Sequence, residues 1–157
     1  KDGGSASGFA AGGGICGVIF KKAGMAQLTA ECNKHKTPLN DGDAVITSAC
    51  NMTNVKAIIH AVGPDFGSTP KAFKELFDAY YNSLKVLMDK VITDFVSLIS
   101  SGIFGGSLSN PAEESTKQCC RAYKKFTEDY PDYDVDVLLC AFSANEMAEA
   151  KKEIDRY

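Results

Sequence analysis

Asp94-Phe95-Val96-Ser97-Leu98-Ile99-Ser100-Ser101-Gly102-Ile103-Phe104-Gly105-Gly106 is the stretch on which the fold turns. Phe95 to Ile99 is a short, β-branched, apolar run, the pattern of a strand buried on both faces. It ends in Ser-Ser-Gly-x-x-Gly-Gly. Glycines in such a loop let the main chain reach positive φ and bring its N–H groups close to a ligand, so the loop can cradle phosphate oxygens. The helical pattern downstream would set a helix N-terminus nearby, whose field favours an anion. A plain turn with no ligand is the alternative, since Ser-Gly turns after strands are common.

A second glycine cluster weighs against that alternative. Gly12-Gly13-Gly14-Ile15-Cys16-Gly17-Val18-Ile19-Phe20 is a triple-glycine loop that runs straight into an apolar helical segment, and two such loops can grip one ligand. Between them lies Ile59-His60-Ala61-Val62-Gly63-Pro64-Asp65-Phe66. The order Gly-Gly-Gly-Ile, His-Ala-Val-Gly-Pro, Ser-Ser-Gly-Ile-Phe-Gly-Gly resembles the macro domains, particularly those of positive-strand RNA virus replicase polyproteins (coronavirus, torovirus and alphavirus). The resemblance runs from about residue 12 to residue 155.

Outward from these motifs, the rest of the chain supports an alternating pattern. Ile15, Val18, Ile19, Met25 and Leu28 recur at helical spacing, with Gly24 placed to split the segment in two. Thr37 to Asp43 reads as a turn, Ala44 to Ala49 as a strand, and Val55 to Val62 as a second strand halted by Gly63-Pro64. Thr69-Pro70 opens a long amphipathic helix with Phe73, Leu76, Phe77, Tyr80, Leu84, Leu87 and Met88 on one stripe, read as core packing. Asn110-Pro111 starts a further helix through Cys119, Ala122 and Phe126, with Glu113 and Glu114 suited to its first turn. Val135 to Phe142 is the last buried strand, and Ser143 with Glu146 caps a terminal helix. The expectation is one α/β domain over residues 1–157, a three-layer α/β/α sandwich around a mixed, mostly parallel sheet, with residues 1–11 a flexible lead or loop.

Composition narrows the function. The chain has 157 residues, is 45% hydrophobic and carries a formal net charge of −3 with no basic block. Affinity for duplex nucleic acid is built from clustered Lys and Arg, so any RNA affinity is expected to be weak. The six cysteines lack paired C-x-x-C spacing. Buried free thiols in a reducing compartment are expected, with no metal site. No secretory signal and no apolar run long enough to span a bilayer occurs. His60, at a strand end with no acid or nucleophile near it in sequence, reads as structural.

The resemblance implies an ADP-ribose site beyond the carboxyl ends of the strands, the usual crevice of open α/β sheets. Gly12, Gly13, Gly14 and Ile15 would approach the terminal ribose and diphosphate, with Val18 and Pro64 also at the ligand. Ser101, Gly102, Ile103, Phe104 and Gly105 would wrap the diphosphate from the other side, Phe104 closing over the ribose. Phe142 matches the position of the aromatic side chain that meets the adenine in coronavirus-like macro domains. Gly14 and Phe104 are the candidates for positions beside the reacting atoms.

The resemblance further implies mono-ADP-ribose hydrolysis from acidic side chains by a positioned water, without a cofactor. Partners would be ADP-ribose or ADP-ribosylated proteins, the protein a monomer in the host cytoplasm acting against host immunity. The two strands that ordinarily precede the triple glycine, the Asn that holds the ribose and the Asp that contacts adenine have no counterpart in residues 1–11. Either those strands lie ahead of Lys1 or the sheet edge is supplied in another way. A non-catalytic ADP-ribose or RNA interaction module and a structural relic of the fold are the competing readings. A Rossmann dehydrogenase is disfavoured, because Gly-Gly-Gly-Ile-Cys-Gly lacks G-x-G-x-x-G spacing and no ribose-binding acid follows a second strand.

Overall fold

The computed structural model describes residues 14–35, 39–64, 72–90, 96–100, 112–141 and 143–157. Two helices come first, α1 (Gly14–Ala23) and α2 (Met25–Cys32), and the break between them is Gly24 at φ +100°. A Cβ there would meet only the ends of the Gln27 and Asn51 side chains, which can move aside, so it is the backbone conformation that requires glycine. The carbonyl of Ala23 is taken up by Asn51 N–H at 3.0 Å, which ties the end of α1 to the loop after the first strand.

Strands β1 (Ala44–Ser48) and β2 (Ala57–Ala61) pair in the register Ala44↔Ala61 to Ser48↔Ala57. They run antiparallel, because the connection over 49–56 is too short for the crossover that parallel strands need. One face of the pair meets α1 and α2, where Phe20, Ala23, Leu28 and Cys32 close over Ile58 and Val45. The other face meets α3 (Phe73–Asp89), which also packs on α4 (Ala112–Asp129).

The stripe expected on α3 is its buried face: Leu76, Ala79, Tyr80, Ser83, Leu84 and Leu87 face inward. Phe73, at the exposed start of that stripe, is the exception. Tyr80 Oη and Ser115 Oγ lie 2.6 Å apart across the α3–α4 seam, a polar pair that satisfies two buried hydroxyls. Phe126, fully buried, is ringed by Tyr81, Tyr130 and Tyr133 with centroids 5.2–5.9 Å away.

Strands β3 (Val96–Ser100) and β4 (Asp136–Cys140) are parallel, with Val96 opposite Asp136 and Ser100 opposite Cys140. Helix α5 (Ala144–Ile154) follows, N-capped by the Ser143 hydroxyl, which accepts from Glu146 N–H at 3.2 Å. Ile59 of β2 and Val137 of β4 pack on one cluster of α3 and α4, and Ala61 and Leu139 on another, so both strand pairs sit on one helical layer. With α1 and α2 on the far face this is the expected α/β sandwich. Its parallel character resides in β3–β4, while β1–β2 supplies the antiparallel part; among the described residues no ladder joins β2 to β3.

Candidate functional site

The candidate site rests on the parallel register of β3 and β4. Ser100 lies opposite Cys140, so the Ser101–Gly106 segment leaves one strand and Phe142 follows the other at the same end of the pair. The described ends of the two strands thus lie side by side, at the kind of edge where α/β sheets receive ligands. At the start of α1, Gly14 opens a helix with no acidic residue in its first turn, which leaves the field there favourable to an anion.

The individual candidates divide as follows. Gly12, Gly13, Ser101, Gly102, Ile103, Phe104, Gly105 and Phe142 lie outside the described residues, as do residues 1–11. Gly14 and Ile15 form the first turn of α1. Val18, one turn on, is 48% exposed, whereas Pro64, at the end of the segment leaving β2, is fully buried.

His60 belongs to the core. It is 2% exposed, with Thr47 Oγ1 at 3.0 Å and Cys32 Sγ at 3.7 Å from Nε2, and Phe20 meets its ring edge-on. The cysteines are free thiols, but burial is uneven: Cys32 and Cys119 are buried, Cys16, Cys50 and Cys120 half-buried, and Cys140 exposed. The expectation of uniformly buried thiols fails at Cys140 because it stands on the open face of β4 with Asp136 and Leu138. Burial raises the Cys119 thiol strongly, and burial with the nearby Glu153 carboxylate pushes Cys120 up to about 11. Both are therefore protonated and poor nucleophiles at neutral pH. Among the described residues no group of three or more His, Cys, Asp or Glu side chains could hold a metal ion, and no helix is long and apolar enough to cross a membrane.

One arrangement escaped the sequence reading. The end of α2 and the turn after it bring Glu31 and His35 to the outer edge of β1: His35 Nε2 bonds the Ile46 carbonyl at 2.9 Å, and the Glu31 carboxylate is bonded by Lys34 and lies beside Ser48. The spacing of two polar residues after a helix carries no signal of a strand edge distant in sequence.

The Macro domain family model matches residues 5–119. The chain belongs to the Macro domain family. Among relatives, it is 39% identical over 130 residues to an uncharacterized protein of Fusobacterium nucleatum, FN1951, covering 82% of this chain and 70% of that protein. It is 37% identical over 111 residues to the O-acetyl-ADP-ribose deacetylase of Escherichia coli K12, 68% of this chain and 62% of that enzyme. It is 30% identical over 131 residues to polyprotein P1234 of Barmah forest virus, 80% of this chain and 5% of the polyprotein. The solved Oceanobacillus iheyensis macrodomain with ADP superposes with a TM-score of 0.80 at 24% identity, over 92% of this chain and 76% of that one. The last likeness establishes the fold.

Proposed function

We propose that this Macro domain binds ADP-ribose where the C-terminal ends of β3 and β4 meet the loops that follow them, and that it hydrolyses ester-linked ADP-ribose. The observation that carries the reading is the register that sets Ser100 beside Cys140, the strand ends from which the Gly102–Gly106 stretch and Phe142 continue in sequence. A diphosphate suits a glycine-rich loop and an acid-free helix start, and a base suits an aromatic face. The deacetylase relative supports the ester chemistry, because its substrate is an acyl ester of the same nucleotide. The same cleavage applied to an aspartyl or glutamyl ester would remove mono-ADP-ribose from proteins.

Cys119 and Cys120 are protonated and His60 is buried among Thr47, Cys32 and Phe20, which fits a positioned water better than a thiol nucleophile from the described residues. The polyprotein match supports placement as a replicase module in the host cytoplasm, and the bacterial relatives of higher identity support a bacterial protein; the coding sequence on either side decides between them.

Calorimetry with ADP-ribose tests binding, and release of acetate from O-acetyl-ADP-ribose and of ADP-ribose from a modified protein tests the reaction. Binding without either release would leave an interaction module. The absence of binding would remove the proposal.

A further inference from the structure

We propose that the end of α2 and the turn that follows it, Glu31 to His35, are a clasp that keeps strand β1 from pairing with the same strand of a second copy of this chain. β1 has β2 on one side and, among the described residues, no strand on the other. Val62 N–H donates to Asp43 O at 2.9 Å and Val62 O accepts from Gly42 N–H at 2.7 Å, which gives 43↔62 the phase of a hydrogen-bonded pair at the end of the ladder. Such pairs alternate along antiparallel strands. Val45 and Thr47 therefore direct their backbone groups at β2, and Ala44, Ile46 and Ser48 direct theirs outward.

Side chains cover the outward groups. His35 Nε2 donates to Ile46 O at 2.9 Å, and the Glu31 carboxylate lies beside Ser48 in the same groove. The Thr47 hydroxyl donates to Ser48 O at 3.1 Å. Lys34 bonds Glu31 and so holds the carboxylate at the strand. With Ile46, Thr47 and Ser48 these side chains line a groove of about 400 Å³ that reaches Lys90, so among the described residues the edge faces a groove rather than another strand.

Ala-Val-Ile-Thr-Ser itself lacks the charges and proline that blunt exposed edges, and its centre is β-branched. It is also self-complementary. Turned antiparallel about Ile46, the outward groups at positions 44, 46 and 48 meet those at 48, 46 and 44 of a second copy, the arrangement of an isologous two-fold contact. The partner that fits an uncovered β1 is thus another β1, and Glu31 and His35 occupy the groups it would need.

Sedimentation velocity on the whole chain tests this. Wild type should remain a monomer across a concentration series, and Glu31→Ala/His35→Ala should show about a twofold rise in mass with concentration. Adding Ser48→Pro removes an outward N–H at a position where an edge strand tolerates proline, and should return the double variant to a monomer. A folded double variant that stays monomeric overturns the proposal. So does a triple variant that still dimerises, which would place the contact elsewhere, or a wild type already paired through this strand. If circular dichroism shows the double variant unfolded, His35→Ala alone is read in the same way, and its remaining monomeric counts against the clasp.

Discussion

The two strand pairs are built differently although they share one helical layer. β1–β2 is covered on both faces, by α1 and α2 on one side and α3 on the other, and it buries His60 with Thr47 and Cys32 inside that covering. β4 packs Val137 and Leu139 on the helices but leaves Asp136, Leu138 and Cys140 open. The difference separates two tasks. The antiparallel pair contributes packing on both faces, whereas the parallel pair ends, at Ser100 and Cys140, where the proposed ligand loops begin.

The sharpest way to break that comparison is with two leucines of the same size. Leu28 is fully buried over Ile58 and Val45, so Leu28→Ala should cost about 2–5 kcal/mol through lost transfer energy and the cavity left behind. Leu138 is 53% exposed on β4, and Leu138→Ala should change stability by no more than about 0.5 kcal/mol. Chemical denaturation of both variants measures the contrast. Equal losses would mean that the open face of β4 is packed in solution and that the two strand pairs are alike.

Those two residues also show what could be read before the structure. Leu28 announced itself by helical spacing with Ile15, Val18 and Ile19, and the break at Gly24 followed from the cost of glycine inside a helix. The α3 stripe and the Ser143 cap were legible for the same reason: each is a local pattern of a few residues. Leu138 and Cys140 were not, because a continuous apolar strand gives no sign of which face stays open. The antiparallel pairing of β1 and β2, the partners of His60 and the meeting of Glu31 with Ser48 depend on contacts between residues far apart in sequence. For the site, the motifs named the loops, and the register of β3 against β4 sets the strand ends that precede them, Ser100 and Cys140, side by side.

On the ligand side of the comparison, Phe142→Ala should weaken ADP-ribose about tenfold, since stacking of a base on an aromatic ring is worth roughly 1–3 kcal/mol. Ribose 5-phosphate has no base, so its affinity should be unchanged by the same substitution. Calorimetry with both ligands, together with a melting curve, checks the point. Equal losses for the two ligands and a lower melting temperature would return Phe142 to the packing side of the division.

A smaller effect is expected at Cys50, in the loop that joins β1 to β2. It adopts φ +51°, the left-handed region that costs an L-residue roughly 1–2 kcal/mol. Glycine would relieve that strain but adds about 0.4–1 kcal/mol of unfolded-state entropy. Cys50→Gly should therefore stabilise the protein by up to about 1 kcal/mol, read as a higher denaturation midpoint. A lower midpoint would show that the Cys50 side chain, which packs beside the cluster of Phe20, Leu28 and Ile58, contributes more than its backbone costs.

The least of these effects belongs to the clasp on β1, because its ion pair is solvent-exposed and such pairs contribute little. Bonding to Lys34 first, and then to Ser48, holds the Glu31 carboxyl at about 2 against an ordinary 4.5. A depressed carboxyl stabilises the folded state wherever it is ionised there, and by the full amount once the pH exceeds its unfolded value. Its contribution is thus complete above pH 4.5 and is lost as the pH falls towards 2. Glu31→Gln should accordingly lower the denaturation midpoint slightly at neutral pH, and the gap from wild type should close over that acid window. The raised Lys34 ammonium has the opposite sense: it loses its contribution only as the pH climbs through the alkaline range, so it leaves the acid window to Glu31. A gap that persists undiminished to pH 2 would mean that Glu31 acts on β1 through packing, and the charge on the clasp would then have no part in closing the edge.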